Sequence, residues 1–99
     1  MFVDSKAQRK KKLEHFLHQE IAKVLQNILY FERGAENMRV TVMEVYASKD
    51  LRKVNVFLST SLPEVFEVIR QKSGKIRHIL AEQVNMRRIP ELYFLPWKY

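Results

Sequence analysis

The 99-residue chain has no cysteine, two glycines, three prolines and one tryptophan. Without cysteine there is no disulfide staple and no thiolate metal or redox site, a composition suited to a reducing cytoplasm. Gly34 and Gly74 stand far apart, so neither a Walker loop nor a dinucleotide fingerprint nor a GxxG nucleotide clamp can be assembled. No apolar run approaches the ~18 residues a membrane span requires. The N-terminal cations are not followed by the apolar stretch of a secretory signal. Histidines are few, and His15 and His18, three apart, have no HExxH pattern, cysteine or acidic cluster to complete a metal site. His78 has no evident base or nucleophile beside it. No catalytic constellation, metal site, cofactor or small-molecule substrate is expected.

Acid is the scarcer charge, with 11 Asp and Glu against 18 Lys and Arg, a formal net charge of +7. Such an excess draws a polyanion: nucleic acid first, an acidic protein or anionic surface second. Apolar residues make up 46% and charged residues 29% of the chain, the balance of a globular protein with one modest core. We read residues 1–99 as a single domain, with 1–8 open to fraying and 96–99 as a C-terminal tail.

Periodicity supplies the elements. Leu13, Phe16, Leu17, Ile21, Val24, Leu25, Ile28 and Leu29 recur at helical spacing and predict a long amphipathic helix. Asp4 or Ser5 would cap its start, and Gly34 would close it just beyond Tyr30 to Arg33. A run containing Val40, Val42 and Val45, then Val54, Val56 and Leu58, predict two strands joined through Ser48-Lys49-Asp50-Leu51 as an antiparallel hairpin. Ser61, Pro63 and Glu64 read as the start of a second helix, buried through Val65, Val68 and Ile69. A break at Lys72-Ser73-Gly74-Lys75 precedes a third helix with Ile76, Ile79, Leu80 and Val84 on its inner face. Leu92 to Leu95 form a last strand ended by Pro96. Phe16, Phe66, Phe57 and Phe94 are expected in the core, whereas Tyr46, Tyr93 and Trp97 could either stack on bases or pack against neighbours.

The fold class is therefore α+β in two layers, in the order α-β-β-α-(kink)-α-β. The second strand is central in a three-stranded mixed sheet with the helices on one face. Lys72, Ser73, Gly74, Lys75 and Arg77 collect at the kink, either as a solvated helix–helix turn or as a phosphate contact at a helix start. Arg87 and Arg88 could join them on one rim. Arg9, Lys10, Lys11 and Lys12 form the densest run, but successive helical residues point ~100° apart, so these cations spray around the helix. They read equally as a solvated helix start or as an RNA arm.

Four segments stand out when taken together: Gln19-Glu20-Ile21 running on to Val24-Leu25-Gln26; Ser48-Lys49-Asp50-Leu51 leading into Val54-Asn55-Val56-Phe57-Leu58-Ser59; Ser73-Gly74-Lys75-Ile76-Arg77; and Arg87-Arg88-Ile89-Pro90-Glu91-Leu92-Tyr93-Phe94. As a set they resemble the ribosome-binding factor A family. The match spans about Leu13 to Phe94. The chain departs from the pattern at Lys72, where an alanine is usual, and at Pro96-Trp97, where an Asp is usual. The resemblance implies a type II KH-like fold without the glycine clamp. It also implies a cytoplasmic, monomeric, non-enzymatic RNA-binding factor that acts on the immature small (30S) ribosomal subunit and assists maturation of 16S ribosomal RNA. Cold adaptation is implied as well. A basic adaptor that binds an acidic protein or anionic surface through its first helix is the alternative.

Overall fold

A computed structural model describes residues 6–30, 39–83 and 88–98 of the chain. Six elements follow one another: α1 (Lys6–Tyr30), β1 (Val40–Ala47), β2 (Lys53–Thr60), α2 (Glu64–Gln71), α3 (Ser73–Gln83) and β3 (Glu91–Pro96). The order and the α+β class are those the periodicity predicts. The caps proposed for α1, Asp4 or Ser5 and Gly34, and the inward-facing Val84 lie outside the described residues.

The sheet runs β1-β2-β3, with β2 antiparallel to β1 and parallel to β3. Val54, Val56 and Leu58 alternate along β2 and are fully buried, so this parity fixes the inner face. On β1, Val42 pairs with Leu58, Val45 with Val56 and Ala47 with Val54. Val42 and Val45 are three residues apart yet both buried, because a bulge between Val42 and Glu44 shifts the register and restores the facing. Phe94, opposite Val56, carries the inner face onto β3.

Against that face lie Leu17, Ile21, Val24, Leu25, Ile28 and Leu29 of α1, with Val65 and Ile69 of α2 and Ile76 and Leu80 of α3. Each such side chain removed from water stabilises the fold by about 1.5–3 kcal/mol. Because the apolar stripe of α1 is consumed in this core, the described part of the helix shows solvent chiefly its polar sides. An adaptor docking through that stripe has no surface left to use.

Three expectations require correction. Phe57 is not a core residue. It shares the outer parity of β2, is half-buried, and meets Tyr46 edge-on at 5.8 Å and Trp97 at 6.1 Å between ring centres. Phe16 and Phe66 pack at the rim of the core and are only half-buried, with the Arg70 guanidinium carbon 5.8 Å from the Phe66 ring centre. Ser61 does not cap α2. The helix begins at Glu64 with Pro63 in the cap position and no side-chain cap, while the Thr60 hydroxyl accepts the Leu62 N–H at 3.2 Å. Glu64 and Glu67 in the first turn answer the positive end of the helix instead.

Candidate nucleic-acid interface

The kink is tighter than the four-residue break expected from the sequence. α2 ends at Gln71 and α3 begins at Ser73, leaving Lys72 alone between them with φ −103 and ψ 14. Its N–H lies 3.1 Å from both the Val68 and Ile69 carbonyls, and its carbonyl accepts the Ile76 N–H at 2.9 Å. Ile69 and Ile76, both fully buried, anchor the two helices on either side of this single residue. Gly74 accordingly sits in the first turn of α3, not at the bend. It is exposed, and a Cβ placed on it would meet nothing within 4 Å.

Around α3 the candidate residues divide. Gly74, Arg77 and Arg88 line one groove of about 440 Å³, together with His78, Ala81 and Ile89. Arg77 is held there by its guanidinium, which donates from Nη2 to the Ile89 carbonyl at 3.2 Å. That bond ties the middle of α3 to the segment entering β3 and so sets Arg77 and Arg88 on a common rim. Ser73 faces elsewhere, into a groove along β3 lined by Arg70 and by Leu92 to Leu95. Lys75 is exposed and Lys72 half-buried. Among the described residues no carboxylate lies within ion-pair distance of Lys75, Arg77 or Arg88. Glu82 pairs instead with His78, Nε2 to Oε1 at 3.0 Å. Arg87 lies outside the described residues.

A tertiary hydrogen bond helps to place the N-terminal run. The Glu14 carboxylate accepts the Ala47 N–H at 2.8 Å, pinning the start of α1 against the end of β1. Arg9, Lys10, Lys11 and Lys12 come within about one helical turn of Glu14, at a rise of ~1.5 Å per residue. They therefore lie at the hairpin end of the sheet, the same end at which Arg88 leads into β3. Arg9, Lys11 and Lys12 are exposed and Lys10 is half-buried, so the run is spread around the helix as its spacing requires.

Two side chains near these grooves titrate away from their ordinary values. The Ser48 hydroxyl, and next the Arg52 backbone N–H, stabilise the Asp50 carboxylate and lower its pKa. The Tyr93 hydroxyl donates to Glu91 at 2.8 Å, and that bond, with the adjacent charge, raises the tyrosine's pKa. Among the described residues no three His, Cys, Asp or Glu side chains gather to hold a metal ion.

Sequence reasoning passed over Arg70 and Arg52. Each borders a groove only because β3 lies beside the α2–α3 kink and its first residue reaches the hairpin, where the Glu91 N–H donates to the Arg52 carbonyl at 2.9 Å. The topology itself was the available signal: a strand parallel to β2 must begin where the hairpin closes.

A three-stranded mixed sheet under three helices, with a clamp-free, cation-flanked kink between the second and third, defines a KH-like basic domain. The chain belongs to the ribosome-binding factor A family, whose model matches residues 9–96. A protein of that name from Coxiella burnetii is 27% identical over 93 residues, covering 90% of this chain and 76% of the relative. One from Acidithiobacillus ferrooxidans is 28% identical over 89 residues, covering 85% of this chain and 70% of the relative. The crystal structure of ribosome-binding factor A from Thermus thermophilus superposes with a TM-score of 0.73 at 29% identity, over 89% of this chain and 94% of that one. A Thermus thermophilus homology model fitted into a cryo-EM map of a 30S–RbfA complex gives a TM-score of 0.71 at 28% identity, over 86% of this chain and 91% of the other.

Proposed function

We propose that this chain is a non-enzymatic RNA-binding assembly factor that docks on the immature small ribosomal subunit and assists maturation of its 16S ribosomal RNA. The observation that carries the reading is the rim on which Arg77 and Arg88 stand together beside Gly74, without carboxylate partners among the described residues. Guanidinium groups in that position suit the planar, bidentate recognition of phosphate. The grooves are open and basic, a form that fits the backbone of a folded RNA better than a small substrate. Lys72, Ser73 and Lys75 at the kink, Arg87 in the approach to β3, and Arg9, Lys10, Lys11 and Lys12 on α1 are the further contacts assigned to it. The fitted 30S complex of a Thermus thermophilus relative supports the choice of partner. The factor would act as a cytoplasmic monomer without a cofactor, and its value to the cell would be greatest in the cold, where misfolded RNA escapes slowly.

Co-sedimentation of the purified protein with immature and mature small subunits tests the proposal. Association should favour the immature particle and weaken steeply with salt, by about 0.7–0.9 log units per log unit of salt for each phosphate contacted. Lys75→Ala combined with Arg77→Ala should lower the association while the circular dichroism spectrum stays that of the native fold. Absence of association with immature particles overturns the assignment.

A further inference from the structure

The loop between β1 and β2 is held by more bonds than a hairpin connection requires. The Ser48 N–H donates to the Lys53 carbonyl at 2.8 Å and the Leu51 N–H to the Ser48 carbonyl at 3.0 Å. The Ser48 hydroxyl donates to Asp50 Oδ1 at 2.6 Å, and the same carboxylate oxygen accepts the Arg52 N–H at 3.1 Å. The Lys53 N–H closes on the Ser48 hydroxyl at 3.1 Å. Within this frame Leu51 adopts φ 60, a left-handed conformation unfavourable for a side chain of its size. Its side chain turns in to pack against the core. With Leu51 turned inward, its neighbours Lys49 and Arg52 are left exposed.

Those two cations do not stand alone. The Glu91 N–H donates to the Arg52 carbonyl, so the loop is stitched to the start of β3. Arg52 and Arg88 consequently line one groove of about 440 Å³ together with Asp50, Leu51, Ile89, Pro90 and Glu91. Its two carboxylates are already engaged. Asp50 is taken by the Ser48 hydroxyl and the Arg52 N–H, with the Arg52 Nε only at 4.0 Å, and Glu91 accepts from the Tyr93 hydroxyl. Arg88 and Ile89 also line the groove beside Gly74 and Arg77, so the two depressions share a wall.

From this we propose that the β1–β2 loop is a second contact for the RNA backbone. Lys49 and Arg52, with Arg88 between the two grooves, would bind phosphates continuous with those at Arg77 and extend the basic rim from the kink to the hairpin. The inference rests on the RNA reading given above and adds to it an element, the loop, that no charge run in the sequence marks out.

The test measures binding of the full-length chain to a fluorescein-labelled 16S ribosomal RNA transcript by anisotropy, across a salt series. At ~0.1 M salt the counterion release at each phosphate contact is worth about 5–8-fold, so Lys49→Ala with Arg52→Ala should weaken binding by about 25–60-fold and flatten the salt slope by about 1.4–1.8. Arg52→Lys, which keeps the charge, should recover part of the loss; circular dichroism verifies the fold of each variant. Affinity within twofold of wild type and an unchanged slope, alongside weakened binding by Lys75→Ala with Arg77→Ala, would overturn the loop contact and leave the proposed function standing. Preferential binding of polyglutamate over the RNA, lost in the loop variant, would overturn it in favour of an acidic protein partner.

Discussion

Replacing Gly74 with alanine should move stability and RNA binding in opposite directions. The glycine lies in the first turn of α3, where a Cβ would meet no atom within 4 Å and the backbone does not enter the left-handed region. Nothing in the fold therefore requires glycine. Alanine there narrows the unfolded ensemble and favours the helix, which stabilises by about 0.4–1 kcal/mol. For a domain of this size that corresponds to a rise in Tm of about 2–8 °C. The same methyl group would stand in the groove shared with Arg77 and Arg88, where a phosphate would approach the exposed backbone. Displacing one such hydrogen bond to an anion is worth about 1 kcal/mol, or ~5-fold in affinity.

Thermal unfolding followed by circular dichroism reads the first quantity, and anisotropy with labelled 16S ribosomal RNA reads the second. A fall in Tm would refute the structural reasoning, because it would mean that the backbone or a neighbour cannot accept a Cβ at this position. A raised Tm with unaltered affinity would show that the rim works through its side chains alone, and would remove Gly74 from the contact.

Other substitutions probe the supports of that rim. Glu14→Ala breaks the bond to the Ala47 N–H, a charge-assisted contact at the half-buried start of α1. It should cost about 1–2 kcal/mol by urea unfolding, and a loss below ~0.3 kcal/mol would mean that α1 is held by its apolar stripe alone. Trp97 carries a buried indole N–H without a partner among the described residues. Trp97→Phe should therefore leave stability nearly unchanged, whereas Trp97→Ala should lose the edge contact with Phe57, worth about 0.5–1.5 kcal/mol beyond the area uncovered. Asp50 has a lowered pKa in the folded chain, so the unfolded chain binds the proton first; this group's contribution is full above pH ~4 and is lost as pH falls below that through the lower folded-state pKa. Ser48→Ala removes the largest cause of the shift, and an NMR titration should find the Asp50 pKa moved back upward.

Much of this fold could be read along the chain because its signals are periodic. The stripe from Leu17 to Leu29 admits only a helix, and Val54, Val56 and Leu58 alternate as a half-covered strand must. What could not be read depends on which surfaces meet. The alternation itself put Phe57 on the outer face with Lys53 and Asn55; what it did not show is that the ring meets Tyr46 and Trp97 there and stays half-buried outside the core. The length of the kink was hidden for a similar reason. A glycine after a lysine and a serine suggests a helix end, yet the burial of Ile69 and Ile76 on either side holds the helical path through everything except Lys72. The candidate site was legible as a charge pattern around α3. Its continuation to Arg52 had no charge run to mark it; the signal was the parallel pairing of β3 with β2, which brings that residue into one groove with Arg88.

The manner in which the cations are presented bears on the release that the proposed role demands. Arg52, Lys75, Arg77 and Arg88 are exposed, with the Arg77 guanidinium bonded to the Ile89 carbonyl and the Arg52 carbonyl to the Glu91 N–H. Exposed ionic contacts are individually weak, about 0.2–1 kcal/mol between side chains, and are screened by salt. Affinity built from several such contacts depends on all of them reaching their phosphates at once, and so on the RNA holding one particular shape. In the proposed role, maturation that moved one segment of that backbone away would break two or three contacts and lower affinity by orders of magnitude, with no nucleotide hydrolysis and no change in the protein. A deep pocket gripping a single nucleotide would lack this sensitivity, because its contacts would travel with the base. In the proposed role the missing GxxG clamp and the shallow basic rim would be two sides of one design: a domain that would sense the fold of an RNA by the distances between its phosphates.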